Sequence, residues 1–190
     1  MKTTVRSVGA LFLALLLTPK ASGQTTLSII FDDDPRSTVF RDASWGHAEG
    51  GDYLRLAGGG DKMPLDVSRR YSGTMCGIIE YEHVANGMWE LFIASDSWQV
   101  RDLSGYDSLF FYLNAPATVP PDEMPQIGLE ASNDAKSAVI NLSTYITLDG
   151  DANTWQRVSI PFAAFQPFGG FSLSAFKTVR FIANGVTSAR

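Results

Sequence analysis

The stretch Asp102–Leu113, DLSGYDSLFFYL, decides the fold class of this chain. Its second half alternates strictly, because Leu109, Phe111 and Leu113 share one face of an extended chain. An apolar set with a period of two indicates a β-strand that covers a hydrophobic core with one face. Turn-forming residues come directly before it, so the strand begins after a turn. The stretch therefore predicts a strand with one buried face.

Short β-rich runs of the same kind recur along the chain, and turns rich in Gly, Pro, Asp or Asn separate them. Asn86-Gly87 is a typical two-residue hairpin turn, and predicts that the runs on either side of it pair. No stretch after residue 23 has the period of an α-helix. We therefore predict an all-β, antiparallel β-sandwich. The predicted strands are Leu27–Phe31, Tyr53–Leu56, Met75–His83, Trp89–Ala94, Ser108–Asn114, Gln126–Ala131, Ser137–Leu142, Tyr145–Leu148, Trp155–Ile160 and Thr178–Ala183.

The first residues have the pattern of a secretory signal peptide. Lys2 and Arg6 are basic, Val8–Leu17 is apolar, and Ala21–Gly23 supplies small residues for cleavage. The apolar run is shorter than the about 20 residues that a spanning helix needs. We expect a signal peptide over residues 1–23 and one domain over residues 24–190. The protein would be secreted, at the cell surface or in the periplasm, and not inserted in a membrane.

The charge balance limits the partners of the domain. Asp and Glu number 20 and Lys and Arg 15, for a formal net charge of −5 at pH 7. An acidic domain repels phosphate backbones, so we expect no nucleic-acid partner. Cys76 is the only cysteine, which excludes an intramolecular disulfide and a cysteine zinc site. We expect the thiol to be inert core packing and the domain to be a monomer.

Three motifs carry a family resemblance. They are DLSGYDSLFF at 102–111, WQRVSIP at 155–161 and FKTVRF at 176–181. Together they resemble galactose-binding-like jelly rolls, which include many carbohydrate-binding modules of secreted bacterial proteins. The resemblance implies a jelly-roll sandwich, a sugar ligand and a structural calcium near the first and last strands.

One feature departs from that family, in which a further strand follows the strand of the third motif. This chain stops at Arg190, soon after that motif. Either the domain lacks its last strand or the sequence is a fragment. We favour the second interpretation, in which residues 24–190 are the N-terminal part of a longer protein.

The strand faces opposite the core suggest a sugar site. Aromatic rings there can stack on the apolar face of a sugar, and planar polar groups can bind its hydroxyls. Two tryptophans in predicted loops are further candidates, although either could be a lid over the core. A solvated face with a cross-strand Arg–Glu pair is the alternative. The candidate ligand-binding residues are Phe110, Tyr112, Gln126, Glu130, Arg180, Trp45 and Trp98.

Acidic residues in two predicted turns are candidate metal ligands. Asp32 and Asp34 follow the first predicted strand, and Glu49 and Asp52 flank a Gly-Gly turn. Calcium prefers carboxylates and carbonyls of tight turns, so a structural Ca²⁺ is our prediction. Ordinary Asx turns would explain the same residues.

The sequence contains candidate catalytic residues, but they form incomplete sites. His83 and Glu90 would lie opposite each other across the predicted hairpin, but no third member completes a nucleophilic site. Glu80 and Glu82 share one strand face about 7 Å apart, a spacing compatible with a carboxylate pair. A jelly-roll glycoside hydrolase or lyase is therefore one alternative, and a structural or adhesive surface domain is another. We predict a non-catalytic module of a secreted or surface protein that binds a polysaccharide or oligosaccharide.

Overall fold

The computed structural model describes residues 6–19, 43–57, 59–71, 73–94, 98–165 and 169–185. These residues form thirteen β-strands and three short 3₁₀ helices, and no α-helix among them. The strands are β1 Arg6–Pro19, β2 Ser44–Glu49, β3 Tyr53–Leu54, β4 Leu65–Asp66, β5 Cys76–Glu82, β6 Met88–Ala94, β7 Tyr106–Leu113, β8 Thr118–Val119, β9 Gln126–Ala131, β10 Ile140–Asn141, β11 Leu148–Asp149, β12 Gln156–Pro161 and β13 Phe176–Ile182. The 3₁₀ helices are Leu142–Thr144, Phe162–Phe165 and Leu173–Ala175. No helix in these ranges is long and apolar enough to cross a membrane.

The strands form two main sheets, in which every pair is antiparallel. Sheet A has the order β12-β7-β1-β5-β3, and β4 also pairs with β5. Sheet B has the order β10-β9-β13-β6-β2. Strands β8 and β11 form a separate two-stranded ribbon. The predicted all-β, antiparallel β-sandwich is confirmed.

The core lies between the two sheets and is built largely from aromatic rings. Phe111 of sheet A meets Phe181 of sheet B edge-to-face, with ring centroids 5.9 Å apart. Tyr81 and Trp89 make a second contact between the sheets, at 4.7 Å. Such pairs add about 0.5–1.5 kcal/mol each beyond the area that they bury. The alternating apolar residues of strand β7 thus face the core, as the sequence predicts.

The turn at Asn86-Gly87 exists, but the predicted hairpin is wrong. The Gly87 amide donates to the Val84 carbonyl (2.9 Å), and Asn86 has a left-handed φ of 68°. Strand β5 before the turn lies in sheet A, however, and strand β6 after it lies in sheet B. The turn reverses the chain, while burial of Tyr81 and Trp89 against each other from opposite sheets decides that the strands do not pair.

The predicted signal peptide has a place in the fold of the full chain. Its residues Arg6–Pro19 form β1, which lies between β5 and β7 and pairs with both. The signal peptide and the domain boundary at residue 24 stay predictions. The first predicted strand, Leu27–Phe31, lies outside the described residues.

Candidate functional site

The outer face of sheet B, which points away from the core, gathers most of the candidate residues. Residues directly opposite each other in antiparallel strands point to the same side. Three cross-strand rows on β2, β6, β13 and β9 therefore share this surface, which we call the sheet B face. The rows are Trp45, Phe92 and Arg180; His47, Glu90, Ile182 and Gln126; and Ala94, Thr178 and Glu130.

Arg180 lies at the centre of the sheet B face and is fully buried. Its Nη2 donates to Glu90 Oε1 from the neighbouring strand β6. Its Nε lies 3.9 Å from Glu130 Oε2, too far for a hydrogen bond. The guanidinium also lies over the Phe92 ring, 5.5 Å from its centroid. The charge is balanced by these carboxylates, but only one of its three nitrogens donates to them.

Buried polar atoms without hydrogen bonds concentrate on the sheet B face. Arg180 Nε and Nη1, His47 Nδ1, Gln126 Oε1 and Thr178 Oγ1 have no partner among the described residues. The other such atom, Trp89 Nε1, lies in the core. A buried polar group left unpaired costs about 1–3 kcal/mol. Donors and acceptors clustered in this way on one surface suit a ligand rich in hydroxyl groups.

A pocket of about 420 Å³ lies at one end of the face. Trp45 is 40% exposed there, and its ring contacts those of Phe92 (5.2 Å) and His47 (4.7 Å). Trp98, at the rim, has a left-handed φ of 58°. The pocket therefore has aromatic walls next to charged groups. Its lining residues are Trp45, Lys62, Phe92, Trp98, Glu130, Asp134 and Lys136.

Glu130 is the buried one of the two acidic residues that line this pocket. Burial raises the pKa of its carboxyl, and the nearby positive charge of Arg180 opposes that rise. Lys136 and Lys177 act in the same direction as Arg180. When it is ionised, the carboxylate can accept hydrogen bonds from hydroxyl groups in the pocket.

The structure brings five of the seven predicted ligand-binding residues together. Gln126, Glu130 and Arg180 lie on the sheet B face, and Trp45 and Trp98 line its pocket. Trp45 belongs to strand β2 and not to a loop. Whether these side chains bind a ligand stays a prediction.

Phe110 and Tyr112 do not join that group. Both lie on β7 of sheet A, so their predicted position beside the strands of sheet B is wrong. Arg157 covers the Phe110 ring at 4.3 Å, and Tyr71 stacks on Tyr112 at 3.9 Å. Alternation indicates which side chains leave the core, but it does not indicate which sheet a strand joins.

Sequence reasoning missed four contributors to the sheet B face. Glu90 and Phe92 alternate within β6, but the apolar run around them hides the period. His47 lies on a strand that the sequence did not predict, and Thr178 begins the predicted last strand. For Thr178 the sequence did hold a signal, because residues two apart on a strand share a face and Arg180 was already predicted to point outward.

The predicted calcium ligands have different surroundings. Both oxygens of the buried Asp52 side chain are engaged, one by His83 Nδ1 and one by the Val84 amide, each at 2.8 Å. Glu49 is exposed. Asp32 and Asp34 lie outside the described residues. The described part of the chain holds no group of three side chains that could bind a metal ion, and calcium stays a prediction.

The candidate catalytic pairs are also placed. His83 contacts Asp52 and not Glu90, because the strands around Asn86-Gly87 do not pair. Glu80 and Glu82 lie half-buried on the outer face of β5, and Glu80 accepts a hydrogen bond from Arg55 at 3.0 Å. This contact is a surface ion pair, with the Arg55 side chain 49% exposed.

Comparison with known proteins identifies the family. The profile described as "Carbohydrate binding domain 30" matches residues 36–189. No curated protein sequence matches the chain significantly. A beta-1,2-glucanase from Parabacteroides distasonis has a similar structure, with a TM-score of 0.62 and 16% identity. The similarity covers 77% of this chain but 21% of the glucanase, and it shows the fold alone. Because the profile spans most of the sequence, the chain belongs to the Carbohydrate binding domain 30 family and is a carbohydrate-binding module.

Proposed function

We propose that the chain is a non-catalytic module that binds a soluble polysaccharide on the sheet B face, and that this polysaccharide is a β-glucan. One observation carries the proposal: buried polar atoms without partners surround Arg180, beside the exposed ring of Trp45. A glucose ring offers an apolar face for stacking and hydroxyls at its edge. The glucanase named above supports a glucan as the ligand class.

The proposed contacts use the exposed ring of Trp45 and the polar atoms that lack hydrogen-bond partners among the described residues. The sugar ring stacks on Trp45 and removes apolar surface from water. Arg180 is fully buried in this structure, so we propose that the side chains over it move aside when the sugar binds. Its Nε and Nη1 then donate to sugar hydroxyls that in turn donate to Glu130. Gln126 and Thr178 supply further oxygens along the neighbouring strands. Charge-assisted bonds of this kind are about twice as strong as neutral ones.

We also propose the remaining context of the module. It is a monomeric jelly roll of the galactose-binding-like kind, exported by the predicted signal peptide into a secreted or surface protein. A structural calcium would be held by the acidic residues of the N-terminal turns. Addition of excess EDTA should then lower the thermal midpoint, because an ion that binds only the folded state stabilises it. An unchanged midpoint would remove calcium from the proposal.

Thr178→Val gives a sharp test of the binding face. The substitution keeps the side-chain volume and removes a hydroxyl that is fully buried and unpaired. We expect weaker retardation in gels that contain barley β-glucan, with a thermal midpoint that is equal or higher. Thr147→Val, at an exposed position just before strand β11, is the matched control and should leave binding unchanged. Retardation of Thr178→Val equal to that of the wild type would place the ligand elsewhere.

One observation favours an enzyme as the second candidate. Glu130 has a raised pKa and shares the sheet B face with a second buried carboxylate, Glu90. Glycoside hydrolases use one protonated and one ionised carboxyl group. The same β-glucan incubations should therefore be assayed for reducing sugar, and we expect none. Release that Glu130→Gln abolishes would replace the binding module with a hydrolase.

A further inference from the structure

A second pocket lies on the other side of the sandwich, at the outer face of sheet A. It has a volume of about 470 Å³ and lies between the loop that follows β4 and the loop that precedes β12. Its lining is mostly polar and is separate from every residue of the sheet B face. The lining residues are Val67, Ser68, Arg69, Arg70, Ala152, Asn153 and Trp155.

Buried polar contacts hold the two loops in place. Asn114 is 1% exposed, and its Nδ2 donates to the carbonyls of Asp151 (3.1 Å) and Thr154 (2.8 Å). Its Oδ1 accepts from Arg69 Nη1 on the opposite loop, at 3.4 Å. The Cys76 thiol donates to the Arg69 carbonyl, at 2.7 Å. The pocket is therefore shaped before any ligand arrives, which lowers the entropic cost of binding.

Aromatic rings continue the surface next to the pocket. Tyr71, which is 46% exposed, stacks on Tyr112 with an interplanar angle of 14°. Its edge meets Trp155, with centroids 6.2 Å apart. Tyr112 and Trp155 both pack on buried Cys76, which fixes their positions. An exposed ring of this kind can cover the apolar face of a sugar.

The charge of the lining is opposite to that of the protein. The chain as a whole carries −5 at pH 7, but two arginines and no carboxylate line this pocket. Asp66, at its edge, is engaged by the amide and the hydroxyl of Ser68, and these bonds hold the pKa of its carboxyl below the usual range. Arg70 is exposed and has no ion-pair partner in the described part of the chain.

We propose that this pocket binds a uronate residue of an acidic polysaccharide, at a site independent of the glucan site. Arg70 and Arg69 would bind the carboxylate, since a guanidinium can donate two parallel N–H hydrogen bonds to its two oxygens. The rings of Tyr71 and Trp155 would face the sugar ring. A module with both sites would bridge a neutral and an acidic polysaccharide.

Calorimetry with trigalacturonate as the probe tests this proposal, with neutral α-1,4-galactotriose, which has hydroxymethyl groups in place of the carboxylates, as the reference sugar. We expect trigalacturonate to bind and Arg70→Gln to weaken it about tenfold, the loss of roughly one charged contact. Lys177→Gln, on strand β13 of the other sheet, also removes one positive charge and should leave the affinity for trigalacturonate unchanged. Retardation by β-glucan should be identical in Arg70→Gln and wild type, which separates the two sites.

Three outcomes would overturn the proposal. Galactotriose could bind as tightly as trigalacturonate, or Arg70→Gln and Lys177→Gln could lose equal affinity for trigalacturonate. Inorganic sulfate could also displace trigalacturonate at equal concentration, which would show anion binding without recognition of a sugar. Because Arg70 is exposed and makes no ion pair with the residues that the structure describes, Arg70→Gln should fold normally, and its thermal midpoint verifies this.

Discussion

Replacement of Trp45 by alanine should weaken β-glucan binding more than any other single truncation on the sheet B face. The ring is 40% exposed at the pocket, while its neighbour Phe92 is 8% exposed. Trp45 is therefore the aromatic surface that a sugar can still cover. Because it stands on strand β2 with its ring against His47 and Phe92, it presents this surface in a fixed position.

The magnitude follows from the exposed area. A tryptophan of about 250 Å² that is 40% exposed offers about 100 Å². A sugar ring that covers half to all of that area gains about 1–2.5 kcal/mol at about 25 cal/mol per Å². The dissociation constant of Trp45→Ala should then rise about five- to seventyfold. Trp45→Phe should recover most of the affinity, since a smaller ring still stacks.

Affinity electrophoresis and calorimetry with barley β-glucan measure this change. Tyr71→Ala is the matched control, because Tyr71 is similarly exposed, at 46%, but lies on the sheet A side. Thermal midpoints within a few degrees of the wild type exclude unfolding. If Trp45→Ala bound normally and Tyr71→Ala did not, the glucan site would lie on sheet A, and the assignment to the sheet B face would be refuted.

Three further changes test the rest of the structure. Burial raises the pKa of Glu130 above 4.5, so its contribution to stability is present below that value and is lost as the pH rises through the raised pKa. The thermal midpoint of wild type minus that of Glu130→Gln should therefore fall as the pH rises above 4.5, and a difference that does not change with pH would contradict the burial argument. Gly87→Ala should lower the midpoint strongly, because a Cβ would lie 1.8 Å from Asp52 Oδ1, whereas Gly105→Ala meets nothing within 4 Å and should be silent. If residues 1–23 are the cleaved signal peptide that we propose, the shortened chain should melt no lower than the full chain, and a lower midpoint would show that β1, which pairs with β5 and β7, belongs to the native fold.

The strands that the sequence predicted well are those with large apolar residues on one face. Strands β7, β9, β12 and β13 all lie where alternation indicated, within a few residues. Strand β2 was missed because its pattern is inverted. Its inward positions hold the small residues Ser44, Gly46 and Ala48, and its outward positions hold Trp45 and His47.

The small residues of β2 have a structural reason. A Cβ at Gly46 would lie 2.8 Å from Leu56 Cδ2, so the strand packs too closely against its neighbours for a larger side chain. Because its inward residues are small, the strand shows no apolar alternation, and the sequence pattern predicts a loop there. This matters for function, because the exposed aromatic ring of the sheet B face, Trp45, stands on the strand that the pattern did not predict.

The sequence also did not indicate which of the two sheets each strand joins. Alternation identified Gln126, Glu130 and Arg180 as outward residues, and the structure brings them together on the sheet B face. It identified Phe110 and Tyr112 equally well, but these lie on the opposite sheet. Which sheet a strand joins depends on contacts between distant parts of the chain, such as Phe111 with Phe181, and no local pattern records them.

The two outer faces differ in how their polar and aromatic groups are satisfied, and our proposal of a glucan site on sheet B rests on this difference. On sheet A, Tyr112 stacks with Tyr71, and Arg157 covers Phe110. On sheet B, four neighbouring side chains retain buried polar atoms that have no partner among the described residues. Each such group costs about 1–3 kcal/mol when nothing satisfies it. Because water or a polyhydroxyl ligand can satisfy such groups, we propose the sheet B face as the place where a bound sugar takes over hydrogen bonds from water.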